Sequence, residues 1–254
     1  MQITFLGTGT SQGVPMIACP CNVCLSDNTK DKRLRSSVMI EHKNKNIVID
    51  TGPDFRTQML REHVKDVDAV LFTHEHKDHT SGLDDIRAFN YFNKKRIPVY
   101  ASIHSSIKIK NDFDYVFSGK NYPGIPEIDL YEITNSKFNF TDDIEIIPIE
   151  VLHYKLPVMG YRIDDFTYIT DANYISENEI EKIKGTKVLV LNALRKEHHI
   201  SHFTLDEAIA MAQKIGAEQT YFTHISHQLG LHNDVSKELP ENIFLAYDGL
   251  KISI

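Results

Sequence analysis

The sequence has no tryptophan, only three cysteines and no long hydrophobic run among its 254 residues. Its apolar stretches, such as residues 188–191, have the length of a β-strand, so we expect no membrane-spanning segment and no membrane association. Basic residues are also scarce: 28 lysines and arginines face 35 aspartates and glutamates, giving a formal net charge of −7. Because a broad nucleic-acid interface needs a basic surface, this balance argues against nucleic acid as a partner.

The N-terminus lacks the pattern of an export signal. Residues 1–7 begin directly with an apolar strand pattern, without a basic region and an apolar core before a cleavage site. All three cysteines fall within residues 19–24, and an odd number in one short loop argues against a disulfide framework. We therefore expect a cytoplasmic protein.

What the sequence does contain is an alternation of strand and helix patterns. Strands are predicted at residues 3–6, 37–41, 46–49, 69–73, 97–101, 144–150, 159–163, 166–170, 187–192, 219–222 and 243–245. Helices are predicted at residues 55–62, 83–91, 177–183 and 205–215. This order predicts a layered α/β fold, with residues 1–254 as a single domain. Residues 104–136 fit worst and are interpreted as an excursion that could cover a site.

The most informative stretch is residues 74–79, which read His-Glu-His-Lys-Asp-His directly after an apolar strand pattern. Because alternate residues of an extended segment share a face, His74 and His76 can bind one ion. Asp78 and His79 can then turn towards a second ion. Neutral imidazole and carboxylate are ligands for zinc, manganese and iron, so the stretch predicts a metal site; the alternative is a solvated polar turn.

A two-metal site needs further ligands from other strand ends. The candidates are His153, Asp171 and His224, each of which lies where a predicted strand meets a loop. Taken singly, each has an ordinary explanation, since such a histidine is often a surface residue and such an aspartate often caps a turn. Their appearance after a complete first cluster is what favours a metal centre.

Together with Asp50 in Val-Ile-Asp-Thr-Gly, these motifs resemble the metallo-β-lactamase superfamily over nearly the whole chain. The resemblance implies an αββα four-layer sandwich with a dinuclear site at one edge of the sheets. It implies Asp50 as a residue that orients the ligands, and Asp171 as the bridge between two metals. The remaining ligands that it implies are His74, His76 and His153 for one metal, and Asp78, His79 and His224 for the other. Histidine at positions 76 and 79 favours a hydrolase over an oxygen-reducing diiron protein or an antibiotic-destroying enzyme.

The cysteine segment predicts a separate metal site. Three thiolates in the pattern Cys-x-Cys-x-x-Cys can bind one zinc ion, which needs a fourth ligand; unliganded or redox-active cysteines are the alternative. With the later Thr-His-x-x-His-Gln motif at residues 223–228, the segment resembles the PhnP-type phosphodiesterases. This resemblance implies a structural zinc whose ligands are Cys19, Cys21, Cys24 and His227.

The resemblance also implies a reaction. Two divalent ions, zinc or manganese, lower the pKa of a shared water and hold phosphoryl oxygens, which suits hydrolysis of a small phosphate diester such as a cyclic ribose phosphate or a nucleotide. His202 matches the family histidine before the late helix and is expected to act on the leaving group or a phosphoryl oxygen. Asp78 is expected to assist proton transfer besides binding metal, and His198 and His199 are expected to face solvent. The turn at residues 9–13 is a candidate for backbone contacts with an anion.

Other functions stay open from the sequence. A tRNA 3′-processing endonuclease shares the fold and ligands, but Lys108, Lys110 and Lys120 are few for a tRNA-binding arm. A thioester hydrolase and a non-catalytic scaffold are further alternatives. The sequence leaves a homodimer, the metal identity and the physiological substrate undecided.

Overall fold

The computed structural model describes residues 1–119 and 123–254. Its strands are β1 (Gln2–Gly7), β2 (Ser37–His42), β3 (Lys45–Ile49), β4 (Ala69–Leu71), β5 (Ile97–Ser102), β6 (Ile128–Ile133), β7 (Phe138–Thr141), β8 (Ile144–His153), β9 (Leu156–Ile163), β10 (Phe166–Tyr168), β11 (Tyr174–Ile175), β12 (Val188–Asn192), β13 (Gln219–Thr223), β14 (Ile243–Leu245) and β15 (Lys251–Ser253).

The helices connect these strands. They are α1 (Asn22–Leu25), α2 (Phe55–Arg61), α3 (Lys77–Thr80), α4 (Arg87–Asn93), α5 (Ile103–Asp112), α6 (Asp114–Phe117), α7 (Glu177–Ile183), α8 (Leu205–Ile215) and α9 (His232–Glu238), with short 3₁₀ helices at Thr29–Asp31 and Leu83–Ile86. Among the helices of the described residues, none combines the length and apolar character that crossing a membrane requires.

The strands form two mixed sheets. The first has the order β15-β1-β2-β3-β4-β5-β6, and the second has the order β11-β8-β9-β10-β12-β13-β14, with β7 paired to β8. Strands β3 to β6 are parallel, as are β10, β12, β13 and β14. Because parallel neighbours need crossover connections, helices such as α2 and α8 return the chain across the outer face of each sheet.

Three hydrophobic clusters separate four layers. Alternate residues of β12 show why: Val188 and Val190 join the cluster between the sheets, whereas Leu189 and Leu191 join the cluster under α7 and α8. A third cluster packs α2, α4 and α5 against the first sheet. The predicted αββα sandwich is therefore confirmed.

The predicted elements match closely where the apolar pattern is strong. Helices α7 and α8 have the predicted bounds, and Thr204 caps α8 in a capping box with Glu207. The predicted helix at residues 83–91 instead begins as a 3₁₀ turn and continues as α4.

The interpretation of residues 104–136 as an excursion is wrong for most of the segment. Helix α5 packs Ile109 into the outer cluster, and β6 pairs in parallel with β5 as the edge of the first sheet. Lys108 and Lys110 lie on α5, whereas Lys120 falls outside the described residues. Strand β6 was not predicted because it lies at the edge of the sheet. Its polar residues, such as Asp129 and Glu132, interrupt the alternation of apolar and polar residues that marks a strand.

Candidate metal centre

The predicted site residues follow the ends of five strands. Asp50 follows β3, His153 ends β8 and His224 follows β13, while residues 74–79 and Asp171 come soon after β4 and β10. Asp50, Asp171 and His224 have left-handed backbones, with φ of 65°, 56° and 55°. Such conformations cost energy for residues other than glycine and often mark functional sites.

His74, His76 and His153 converge on one side of the centre. The Nε2 atom of His74 lies 2.9 Å from Nδ1 of His76, and the His153 ring centroid lies 5.7 Å and 5.2 Å from theirs. Thr73 Oγ1 lies 3.0 Å from Nδ1 of His74, and the Ser201 carbonyl accepts from Nδ1 of His153 at 2.9 Å. Because Nδ1 of each ring makes these contacts, Nε2 of His74 and of His153 is the nitrogen that could bind an ion.

Asp78, His79, Asp171 and His224 converge on the other side. His79 Nε2 lies 3.1 Å from Asp78 Oδ2 and 3.3 Å from Asp171 Oδ2. His224 Nε2 lies 3.6 Å and 3.2 Å from oxygens of the same two carboxylates. Asp171 therefore lies between His79 and His224, close to both rings.

The donor set fits a divalent cation. The Nε2 atoms of His79 and His224 are buried and have no hydrogen-bond partner among the residues that the structure describes, although carboxylate oxygens lie close by. A buried polar atom without a partner is costly, and an ion between nitrogens and oxygens would satisfy all of them at once. The burial and contacts of these atoms therefore support the predicted metal site.

Asp50 stands behind these residues. Its carboxylate accepts from the Thr73 N–H and hydroxyl at 2.8 Å each, and its Oδ2 lies 2.7 Å from Nδ1 of His79. Because Asp50 occupies Nδ1 of His79, Nε2 of that ring faces the centre. Asp50 thus lies where the predicted orienting role requires.

The electrostatics of the site favour bound cations. Burial alone would raise the pKa of Asp171, but the rings of His224 and His79 outweigh it and hold that pKa well below its ordinary value. Burial, with a smaller contribution from His79, lowers the pKa of His74 far enough to keep its ring neutral. Burial would lower the pKa of His79, but Asp78 and the other nearby carboxylates outweigh it and hold that pKa well above its ordinary value. A metal ion would therefore have to replace a proton on this ring, since imidazole binds metal in its neutral form.

His202 lies at the same centre. Its Nε2 lies 2.9 Å from Asp171 Oδ1, and its ring centroid lies 4.6 Å from that of His153. His199, predicted to face solvent, is half-buried, and its Nδ1 lies 3.1 Å from Nδ1 of His202. His198 is exposed, as predicted. The contact between His199 and His202 could not be predicted from the sequence, since only the fold orients the two rings towards each other.

The three cysteines and His227 form a second cluster. His227 Nδ1 lies 3.4 Å from the Cys19 sulfur and 3.3 Å from the Cys21 sulfur, and all four candidate donor atoms lie within 4.8 Å of one another. Tetrahedral zinc with ordinary bond lengths separates nitrogen and sulfur by roughly 3.5 Å. Hydrogen bonds from the Cys24 N–H and from His227 lower the pKa of Cys21 to about 6, which favours the thiolate.

Known proteins share the fold of this chain. The sequence model of the β-lactamase superfamily domain matches residues 45–225. The crystal structure of a diphosphatase from the PhnP family superposes on this chain with a TM-score of 0.92. The two sequences are 39% identical, and the match covers 100% of this chain and 97% of the diphosphatase. The chain belongs to the PhnP family of the metallo-β-lactamase superfamily. It has a hydrolase fold with a candidate site for divalent metals.

Two curated relatives of this PhnP-family chain are named for other activities. An octanoyltransferase of Porphyromonas gingivalis is 38% identical over 100% of this chain, which spans only 52% of that protein. A ribonuclease Z of Methanopyrus kandleri is 23% identical over 87% of this chain and 92% of its own length. The chain thus covers about half the length of the first relative and nearly all of the second.

A polar cleft of about 310 Å³ lies between the two clusters of this PhnP-family chain. Ser11 and Gln12 of the predicted anion-binding turn line it on one side, and Arg195 and His199 line it on the other. The Arg195 guanidinium donates to Gln228 Oε1 at 2.9 Å and to the His198 carbonyl at 2.8 Å. These contacts hold a positive charge beside the centre.

Proposed function

We propose that the chain hydrolyses a phosphodiester bond of a small molecule at a centre of two divalent ions. The observation that carries this proposal is the buried, unpaired Nε2 atoms of His79 and His224 beside the carboxylates of Asp78 and Asp171. The residues that the family resemblance implies would hold these ions, and Cys19, Cys21, Cys24 and His227 would hold a structural zinc.

The reaction adds water across one P–O bond and releases a phosphate monoester and an alcohol. Bound metals would lower the pKa of water and offset charge on the phosphoryl oxygens. Asp50 keeps His79 oriented. Asp78 assists proton transfer by accepting a hydrogen bond from the attacking water. Burial would raise the pKa of Asp78, but His79 outweighs it and holds that pKa well below its ordinary range, so Asp78 remains a carboxylate. His202 donates an N–H hydrogen bond, or its proton, to the leaving oxygen or a phosphoryl oxygen.

A disubstituted diphosphate is an attractive form of this substrate. Each phosphorus of such a molecule carries one ester link and one anhydride link, so attack of water on one phosphorus breaks the P–O–P bond and releases two phosphate monoesters instead of a monoester and an alcohol. The similarity to a PhnP-family diphosphatase supports this form, as does the Arg195 charge in the polar cleft, where a second phosphate would lie. A cyclic ribose phosphate or a nucleotide remains the alternative within the same class.

Two other functions have specific support. Similarity to ribonuclease Z favours tRNA 3′-processing, but the net charge of −7 opposes binding to a long phosphate backbone. Similarity to one half of an octanoyltransferase favours action on an acyl thioester, because two-metal centres activate water against several kinds of ester. We rank both below a small phosphodiester.

A substrate panel tests the proposal. Metal-loaded protein is assayed with nitrophenyl phosphodiesters, cyclic ribose phosphates, disubstituted diphosphates, octanoyl thioesters and precursor tRNA. We expect hydrolysis of the small phosphodiesters, with kcat/KM at least about 100-fold above that for thioesters. Selective trimming of precursor tRNA, or selective thioester cleavage, would contradict the proposal.

Replacing His202 with glutamine is expected to lower kcat by about 10²–10⁴-fold without loss of metal. If His202 protonates the leaving oxygen, the loss will be larger for an alkyl leaving group than for nitrophenolate, which leaves without a proton. If it instead contacts a phosphoryl oxygen, both losses will be equal.

The exposed neighbour His198 provides the matched control, since His198→Gln changes the same residue type outside the centre. The measurements are kcat with both leaving groups and metal content by mass spectrometry. Wild-type kcat in His202→Gln would exclude His202 from the reaction.

A further inference from the structure

A second cleft, of about 500 Å³, opens beside His76 and His153. Its rim carries two apolar side chains that solvent reaches, since Tyr154 is 49% exposed and Ile200 is 59% exposed. The hydrolytic step described above uses neither of them. They are therefore available to contact the part of a substrate that extends from the centre.

The backbone of Tyr154 is unusual. It begins the two-residue turn between β8 and β9, because His153 pairs with Leu156, and its φ is 58°. Tight hairpins favour glycine, asparagine or aspartate at such positions, and a bulky residue there is an outlier. The chain thus holds an aromatic ring where the backbone alone would favour a smaller residue, which is typical of functional positions.

Asn173 fixes both sides of this rim. Its Oδ1 accepts from the Tyr154 N–H at 2.7 Å, and its Nδ2 donates to the Ile200 carbonyl at 3.3 Å. Its own N–H donates to the Leu152 carbonyl at 2.9 Å, which anchors it to β8. The tyrosine and isoleucine backbones are therefore held at set positions on two sides of one opening.

The chemistry of the rim favours a planar ring as its occupant. Tyr154 offers an aromatic face, and stacking of a base on such a ring is favourable for bases of any sequence. Lys155 Nζ lies over one face of that ring, 5.2 Å from its centroid, so a positive charge is part of the same rim. An alkyl chain would contact Ile200 equally well but would use neither the aromatic face nor the charge.

We propose that Tyr154 and Ile200 form a subsite for a planar aromatic group of the substrate, such as a nucleobase. The phosphoryl group of the same molecule lies at the neighbouring His76 and His153, and this part of the proposal rests on the proposed function. Within the phosphodiester class, the subsite selects nucleotide-like molecules over bare sugar phosphates.

Tyr154→Asn is the informative variant, because asparagine suits a left-handed backbone and removes the ring without adding strain. Calorimetry on metal-loaded protein compares adenosine monophosphate with ribose 5-phosphate, which share the phosphate and sugar. We expect wild type to bind the nucleotide about tenfold or more tightly than the sugar phosphate. We expect Tyr154→Asn to lose this preference, with an unchanged or higher Tm.

The control is Tyr91→Asn, which removes a tyrosine that is 67% exposed on α4, outside this cleft. It should keep the wild-type preference. Equal affinity for the two ligands in wild type, or a preference that survives in Tyr154→Asn, would overturn the subsite. Tighter binding of an octanoyl ligand that depends on Tyr154 would also overturn it, in favour of an acyl chain. Ring-dependent binding without hydrolysis of any ester would reject the proposed function but keep the subsite.

Discussion

Replacing Asp171 with alanine is expected to release metal and abolish turnover. Its carboxylate approaches His79, His202 and His224 within 2.9–3.3 Å, so its removal leaves the two proposed metal positions without a shared ligand. Replacing residues that merely orient ligands typically costs 10–100-fold, and loss of a bridge should exceed about 100-fold. Metal content by mass spectrometry and kcat/KM for a nitrophenyl phosphodiester measure both effects.

Two further variants make this result specific. Asp171→Asn keeps the size but removes the charge, so it should also lose metal, because a neutral amide does not offset two cations. Asp142→Ala removes an exposed aspartate from a distant turn and should leave both measurements unchanged. Retention of full metal content and activity in Asp171→Ala would refute the two-metal proposal.

The α/β layering could be predicted because the apolar pattern of a buried strand can be recognised in the sequence without knowledge of its neighbours. Strand β12 is apolar at every position but its last, and α8 combines an apolar face with a capping box. Strand β6 and helix α5 were missed for the opposite reason. They lie at the edge of the first sheet, where exposed polar residues interrupt the apolar pattern.

The candidate site residues and the orienting role of Asp50 were predicted from motifs and the family resemblance, but the particular atoms that contact one another were not. The spacing of residues 74–79 is local, and strand ends are natural places for ligands. By contrast, the contact of His153 with the Ser201 carbonyl spans 48 residues, and that of Asp50 with His79 spans 29. Contacts of this range depend on how the two sheets pack, which no local pattern encodes.

The same limit applies to the apolar rim. Tyr154 and Ile200 are separated in the chain, and each alone reads as an ordinary exposed residue. Only the positive φ of Tyr154 and the two hydrogen bonds from Asn173 show that they are held together. The proposed subsite therefore depends on the structure, whereas the proposed reaction class can be derived from the sequence motifs.

Replacing Cys21 with serine is expected to remove one equivalent of zinc and to lower stability. The cluster joins residues 19–24 to His227, three positions beyond His224, so it links the N-terminal loop to a strand end of the metal centre. If the zinc contributes only about 3 kcal/mol, well below its value in small zinc peptides, Tm should fall by roughly 6–12 °C. Thermal unfolding and metal content measure the change.

Asn22→Ala is the matched control, since it alters the same short helix at an exposed position without removing a thiol. It should keep the zinc and nearly the wild-type Tm. In Cys21→Ser the catalytic residues remain, so restoring divalent metal should recover measurable hydrolysis, in contrast to Asp171→Ala. A Cys21→Ser protein with full zinc content and an unchanged Tm would show that these thiols do not bind zinc. We expect loss of stability in one variant and loss of activity in the other because the two clusters differ in chemistry. The cysteine cluster offers four protein ligands to one zinc ion, as structural sites do, whereas a catalytic site keeps a position for water or substrate.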